Sequence, residues 1–164
     1  MKKLGLILFL AVLLFLTSCI SYKRLYREAE THLDKKMISY LIYWEKPDKI
    51  REITILPRDR RTVAYKKAIE RVASQLGLKV DQFKSRQEQR IREANLKFGS
   101  IQRGMFTDKG KIWIKYGEPE RMEENVSSNF GTADVWTYVN PPRTFYFVER
   151  GSGFFLANPG EDNL

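Results

Sequence analysis

The chain carries 164 residues, with 29 Lys and Arg against 20 Asp and Glu, one histidine and one cysteine, for a formal net charge of +9. One cysteine excludes an intramolecular disulfide and a thiolate metal cluster, and one histidine excludes the usual multi-histidine metal sites. The length suits one domain with a lead-in, and the basic excess speaks to association with anionic surfaces rather than to fold.

Lys2 and Lys3 precede an unbroken apolar run from Leu4 to Leu16, the basic start and short apolar stretch of an export signal. Its thirteen residues fall short of the roughly 20 that span a bilayer. The run closes on Leu16-Thr17-Ser18-Cys19, which resembles the lipobox of bacterial lipoproteins: an aliphatic residue, two small residues, and the cysteine that is acylated and becomes the new N-terminus. The sequence therefore predicts a lipoprotein signal peptide over 1–18 and acylation of Cys19 with chains such as palmitate. It also predicts a mature chain anchored in the cell envelope, on the exported side of a bacterial membrane. Ile20 stands where some bacteria place an aspartate for inner-membrane retention. The mature chain keeps 27 basic residues against 20 acidic ones. In that compartment the anionic partners are lipid headgroups and acidic glycans, not nucleic acid.

Three helical patterns follow. Leu25, Ala29, Leu33, Met37, Tyr40, Leu41 and Trp44 recur at three and four residues, predicting one amphipathic helix from Tyr22 to Trp44 that Pro47 ends. Ile53-Thr54-Ile55 reads as a short β segment before Pro57. Asp59 is the expected cap of a second helix with Val63, Ala64, Ala68, Ile69, Val72, Ala73 and Leu76 on one face and Gly77 past its end. Arg60, Arg61, Lys66, Lys67 and Arg71 occupy its other face, as a solvated charge run does. The third helix, Asp81 to Phe98, sets Phe83, Ile91, Ala94 and Phe98 in phase and carries Arg86, Glu88, Arg90, Arg92 and Glu93 on the remaining surface.

After Gly99 the texture changes to aromatic and β-branched residues at period two. Strands are expected at 111–116, 134–138, 144–148 and 153–157, joined by Gly117-Glu118-Pro119, Asn140-Pro141-Pro142 and Gly151-Ser152-Gly153. Glu120 to Thr132 is expected to be a long polar mobile loop. Short connections favour an antiparallel meander. The predicted fold class is α+β: a helical lead-in over 19–84, then a domain over 85–164 built on a small antiparallel sheet.

Asn95, Phe98-Gly99, Gly104-Met105-Phe106-Thr107-Asp108, Gly110, Tyr116-Gly117, Pro119, Trp136, Tyr138, Phe145, Phe147 and Val148 together resemble the GWxTD domain, over roughly residues 85–157. Met105 stands where the family has its tryptophan. The resemblance implies an exported bacterial protein and no established activity. In physical terms the motif residues Gly104, Thr107, Asp108, Gly110, Gly117 and Pro119 form a turn. Glycine reaches conformations closed to other residues, and Thr107 and Asp108 can bond backbone N–H groups two or three positions away. Met105 is large and flexible enough to fill the tryptophan's space.

Catalysis has few candidates. His32, the only histidine, lies beside the apolar stripe of the first helix and has no evident nucleophile to serve. The reading is therefore a non-catalytic binding or assembly module with no cofactor and no metal. Its partner would be another envelope protein, with an acidic glycan as the rival ligand. The rival function is a hydrolase acting on envelope polymers through Asp108, with Glu118 as the second carboxylate. Trp113, Trp136, Tyr138 and Tyr146 are the candidate partner surface if exposed together; if not, they are core.

Overall fold

Capping residues decide where the helices break. The computed structural model describes residues 21–100, 102–151 and 153–158; the predicted signal, Cys19 and the acylation reading lie outside them. The chain divides into two compact units, the first reaching Tyr65 and the second starting at Lys66.

In the first unit the predicted helix over 22–44 is two helices, α1 (Tyr22–Glu28) and α2 (His32–Leu41). The Ser21 hydroxyl accepts from the Arg24 amide and starts α1. Thr31 then interrupts the stripe: its Oγ1 accepts from the Asp34 amide at 3.0 Å and donates to the Asp34 carboxylate at 2.7 Å, an N-cap that restarts the chain as α2. The phase shifts accordingly, burying Leu25, Ile38, Tyr40 and Leu41 and leaving Leu33 exposed. Pro47 does not end a helix but opens one, α3 (Pro47–Thr54), because proline at the first position loses no bond a helix would have used. Ile53 and Thr54 are therefore helical, not β.

The helix α4 (Arg58–Gln75) begins one residue before its expected cap. Arg61 is not solvated. It lies buried between Glu30 at 2.9 Å and Asp34 at 3.4 Å. Within the second unit, α4 buries Ala68, Ile69, Val72 and Ala73. It ends at Gly77, whose φ of 65° lets Leu78 and Gly77 donate back to the Ala73 and Ser74 carbonyls.

The helix α5 (Val80–Phe98) follows, then a single 3₁₀ turn (Gly104–Phe106) and α6 (Asp108–Tyr116). The last corrects the expected strand over 111–116. Ile112, Trp113 and Ile114 are buried in succession, and a run of apolar residues that short does not separate strand from helix. The local cap at Thr107 decides it. The sheet is β1 (Arg121–Ser128), β2 (Gly131–Tyr138), β3 (Arg143–Arg150) and β4 (Gly153–Leu156), antiparallel in the order β1-β2-β3-β4. The α+β arrangement and the antiparallel meander are thus as expected. The supposed loop over 120–132 is instead β1 with a two-residue turn at Asn129-Phe130. One extra residue in β1 between Glu123 and Val126, with Asn125 at a φ of 56°, forms a bulge that bends the strand.

The sheet's inner face carries Trp136, Tyr138, Phe145 and Phe147, all buried. Trp136 meets Trp113 of α6 at 6.0 Å and Phe98 of α5 at 5.4 Å between ring centroids.

Candidate functional site

The signature residues sit where α5, the 3₁₀ turn and α6 meet. Thr107 precedes α6 in extended conformation and caps it: its Oγ1 accepts from the Gly110 amide at 3.0 Å and donates to the Gly104 carbonyl at 2.7 Å. Gly104 and Gly110 are there for space, not for unusual dihedrals. A Cβ on Gly104 would overlap the Ala94 carbonyl oxygen, and one on Gly110 would overlap the Gly104 carbonyl oxygen. Backbone thus packs on backbone twice within seven residues. Met105 is buried, and its amide donates to Asn95 Oδ1 at 3.0 Å.

Asp108 does not make the local turn bond expected of it; Thr107 makes that one. The Asp108 carboxylate reaches 48 residues along the chain, accepting from the Leu156 amide of β4 at 2.8 Å. It also lies in the first turn of α6, where a negative charge meets the positive end of the helix dipole. Lys109 also reaches the sheet, donating to Asp134 of β2 at 2.6 Å and standing 3.4 Å from the centre of the Phe154 ring. Asp134 in turn accepts from the Asn125 amide at the bulge. Three consecutive residues, Thr107, Asp108 and Lys109, therefore fasten α6 to itself, to β4 and to β2.

The other end of α6 is held by Arg90. Its guanidinium donates to the carbonyls of Ile114, Lys115 and Tyr116 at 3.0, 2.8 and 3.1 Å, the groups a helix C-terminus leaves without intrahelical donors. Burial, aided by the nearby Arg86 charge, pushes Arg90 down to about 10, so it remains a cation at neutral pH. Gly117 follows with a φ of 88°, and a Cβ there would stand 2.6 Å from the Arg90 guanidinium. Its carbonyl accepts from the Tyr138 hydroxyl at 2.9 Å. Burial pushes that hydroxyl up, which keeps it a donor. On the same flank Trp113 donates to Glu93 at 2.8 Å. Burial alone would raise the Glu93 carboxyl, but the Trp113 and Gln89 donors with the Lys97 and Arg90 charges bring it below its ordinary value.

Of the candidate partner surface, Trp113, Trp136 and Tyr138 are core; only Tyr146 reaches the surface, on the sheet's outer face beside Phe130, ring centroids 5.4 Å apart. Arg90 and Glu93 were expected in the charged coat of α5 and turn instead toward α6. Their one sequence signal is proximity to Asn95 and Gly104 within the motif segment. His32 begins α2 in the first unit and Asp108 begins α6 in the second. Among the described residues no group of three or more His, Cys, Asp or Glu side chains is placed to hold a metal ion, and no helix is long and apolar enough to cross a membrane.

The roles just described predict a graded response. Asp108→Ala removes a charged acceptor and is expected to cost about 1.5 kcal/mol. Asp108→Asn, whose amide oxygen can still accept, should cost less. Urea midpoints of the two variants against the parent check this.

A family model for the GWxTD domain matches residues 18–155, well beyond the stretch over 85–157 that carries the signature, so the family pattern takes in the helices before it as well. No curated protein and no solved structure matches the chain. With Thr107 and Asp108 fastening a helix start, Gly104 and Gly110 at backbone contacts and Met105 in the tryptophan's place, this chain belongs to the GWxTD domain family.

Proposed function

We propose that the chain is a lipid-anchored cell-envelope protein, and that its GWxTD domain is a non-catalytic binding or assembly module. The observation that carries the second half is the engagement of the signature itself. Thr107 and Asp108 both hold backbone groups, and Lys109 is paired with Asp134. A catalytic carboxylate needs an approach for substrate; Asp108 is instead committed to the amide that fixes β4. Hydrolysis of an envelope polymer through Asp108 is the outcome that would replace this reading. Turnover of such a polymer by the parent, abolished in Asp108→Asn while the urea midpoint hardly moves, would establish it.

The anchor rests on the lysine, apolar run and lipobox series ending at Cys19. Each buried methylene contributes about 0.8 kcal/mol, so two or three acyl chains on one cysteine hold a protein to a bilayer durably. The intact mass of membrane-extracted protein is expected to show loss of residues 1–18 and addition of acyl chains. Cys19→Ala is expected to move the protein from the membrane to the soluble fraction. An unmodified N-terminus, or unchanged fractionation of the variant, would sink the anchor.

A further inference from the structure

The sheet's outer face holds an open groove of about 580 Å³. The bulge at Asn125 bends β1, and the turn that follows carries Phe130 over β2 and β3 against Tyr146. Phe130, at the hairpin tip, is 46% exposed. Below the two rings the groove is lined by Thr137 and Thr144, directly paired across β2 and β3, with Asn129 and Glu123 at the side. Two partly exposed aromatic rings line it together with Val126, Val135 and hydroxyl, amide and carboxylate groups, in a volume within the usual range for ligand sites.

We propose that this groove binds an uncharged oligosaccharide. The inference rests on the reading of the domain as a binding module and names its ligand class. Aromatic rings offer a flat apolar face to the C–H face of a sugar ring, while Thr, Asn and Glu side chains supply the donors and acceptors that sugar hydroxyls require. Charge decides against an acidic glycan here. The protein is basic as a whole, yet the described groove lining contains no Lys or Arg, and its one charged residue is Glu123, ion-paired with Arg121 at 2.9 Å. Peptide recognition by strand addition would use the open edge of β1, whereas this groove lies on the face of the sheet, spread over β1, β2 and β3.

The test is calorimetric titration of the full-length protein in a detergent without a sugar headgroup, using chitotetraose, maltotetraose and tetragalacturonate. Saturable heat is expected with at least one of the two uncharged sugars and not with tetragalacturonate. Tyr146→Ala and Phe130→Ala should each weaken it about tenfold or more, a difference of about 1.4 kcal/mol. Tyr146→Phe, which keeps the ring, and Val139→Ala, an exposed apolar residue outside the groove, should bind nearly as the parent does, and circular dichroism should match throughout. Heat with neither uncharged sugar, heat indifferent to the ring variants, or tetragalacturonate binding that those variants abolish would each overturn the proposal. Cross-linking in intact cells separates this outcome from failure of the broader reading. A cross-linked envelope partner that persists without sugar binding leaves the module reading standing. One that Tyr146→Ala erases would make the groove a protein surface.

Discussion

Gly104→Ala is expected to cost about 3 kcal/mol, at the upper end for overpacking, read as a fall in urea midpoint with unchanged slope. The size follows from what the added methyl meets. The Ala94 carbonyl oxygen, which the added Cβ would overlap, belongs to the interior of α5, and the Gly99 amide nitrogen stands 2.8 Å from that Cβ, so neither can yield without displacing α5 from the 3₁₀ turn. A flexible side chain in that place would move aside at little cost; a helix backbone will not. Gly110→Ala, against the Gly104 carbonyl, should behave alike. Gly153 is the control, since a Cβ there meets nothing within 4 Å and its φ lies outside the left-handed range. Gly153→Ala should stay within about 0.5 kcal/mol of the parent. Equal losses at Gly104 and Gly153 would show that chain flexibility, not close packing, explains the motif glycines.

The second large effect is expected at Arg90. Arg90→Met keeps the apolar stem and removes the guanidinium, leaving the Ile114, Lys115 and Tyr116 carbonyls without it. Hydrogen bonds from a charged donor are worth about 1.5–3 kcal/mol, and the half-buried setting places the expected loss near 2–3 kcal/mol. Arg90→Lys keeps the charge but not the planar fork that reaches three acceptors, so it should fall between. Hydrogen exchange adds a localising readout. Protection should drop first at the end of α6 and at the Gly117 turn, where the Tyr138 hydroxyl would be left to hold the chain.

Much of this architecture was legible in the sequence, and the losses have specific causes. The end of α4 is legible because Gly77 is local chemistry, and β2, β3 and β4 because aromatic and β-branched residues concentrate there between turn residues. The division of the first helix was hidden because Thr31 reads as one more polar residue in a stripe; only the bond from its Oγ1 to the Asp34 amide marks it as a cap. Helix α6 is hidden because Ile112, Ile114 and Tyr116 alternate as a strand's residues would, and the Thr107 cap that starts it is reinforced at the far end by Arg90, more than twenty residues away. β1 was taken for a loop because its polar run, Glu-Glu-Asn-Val-Ser-Ser, lacks the apolar face that announces a strand. At the site, the importance of Thr107, Asp108 and the glycines was legible, but their partners were not, since Ala94, Leu156 and Asp134 are joined to them only by the fold.

The bond from the Leu156 amide to Asp108 has a meaning beyond holding two elements together. β4 is the last strand of the sheet, and the Leu156 amide faces away from β3, whose Tyr146 carbonyl takes the next amide, that of Ala157. An outward amide on a terminal strand is a template on which a strand from another molecule can begin to pair. Here the carboxylate occupies it, and α6 lies alongside. The opposite border is made unattractive by other means, a bulge and the charges of Arg121, Glu123 and Glu124. The aspartate of the signature therefore leaves that amide unavailable to an incoming strand.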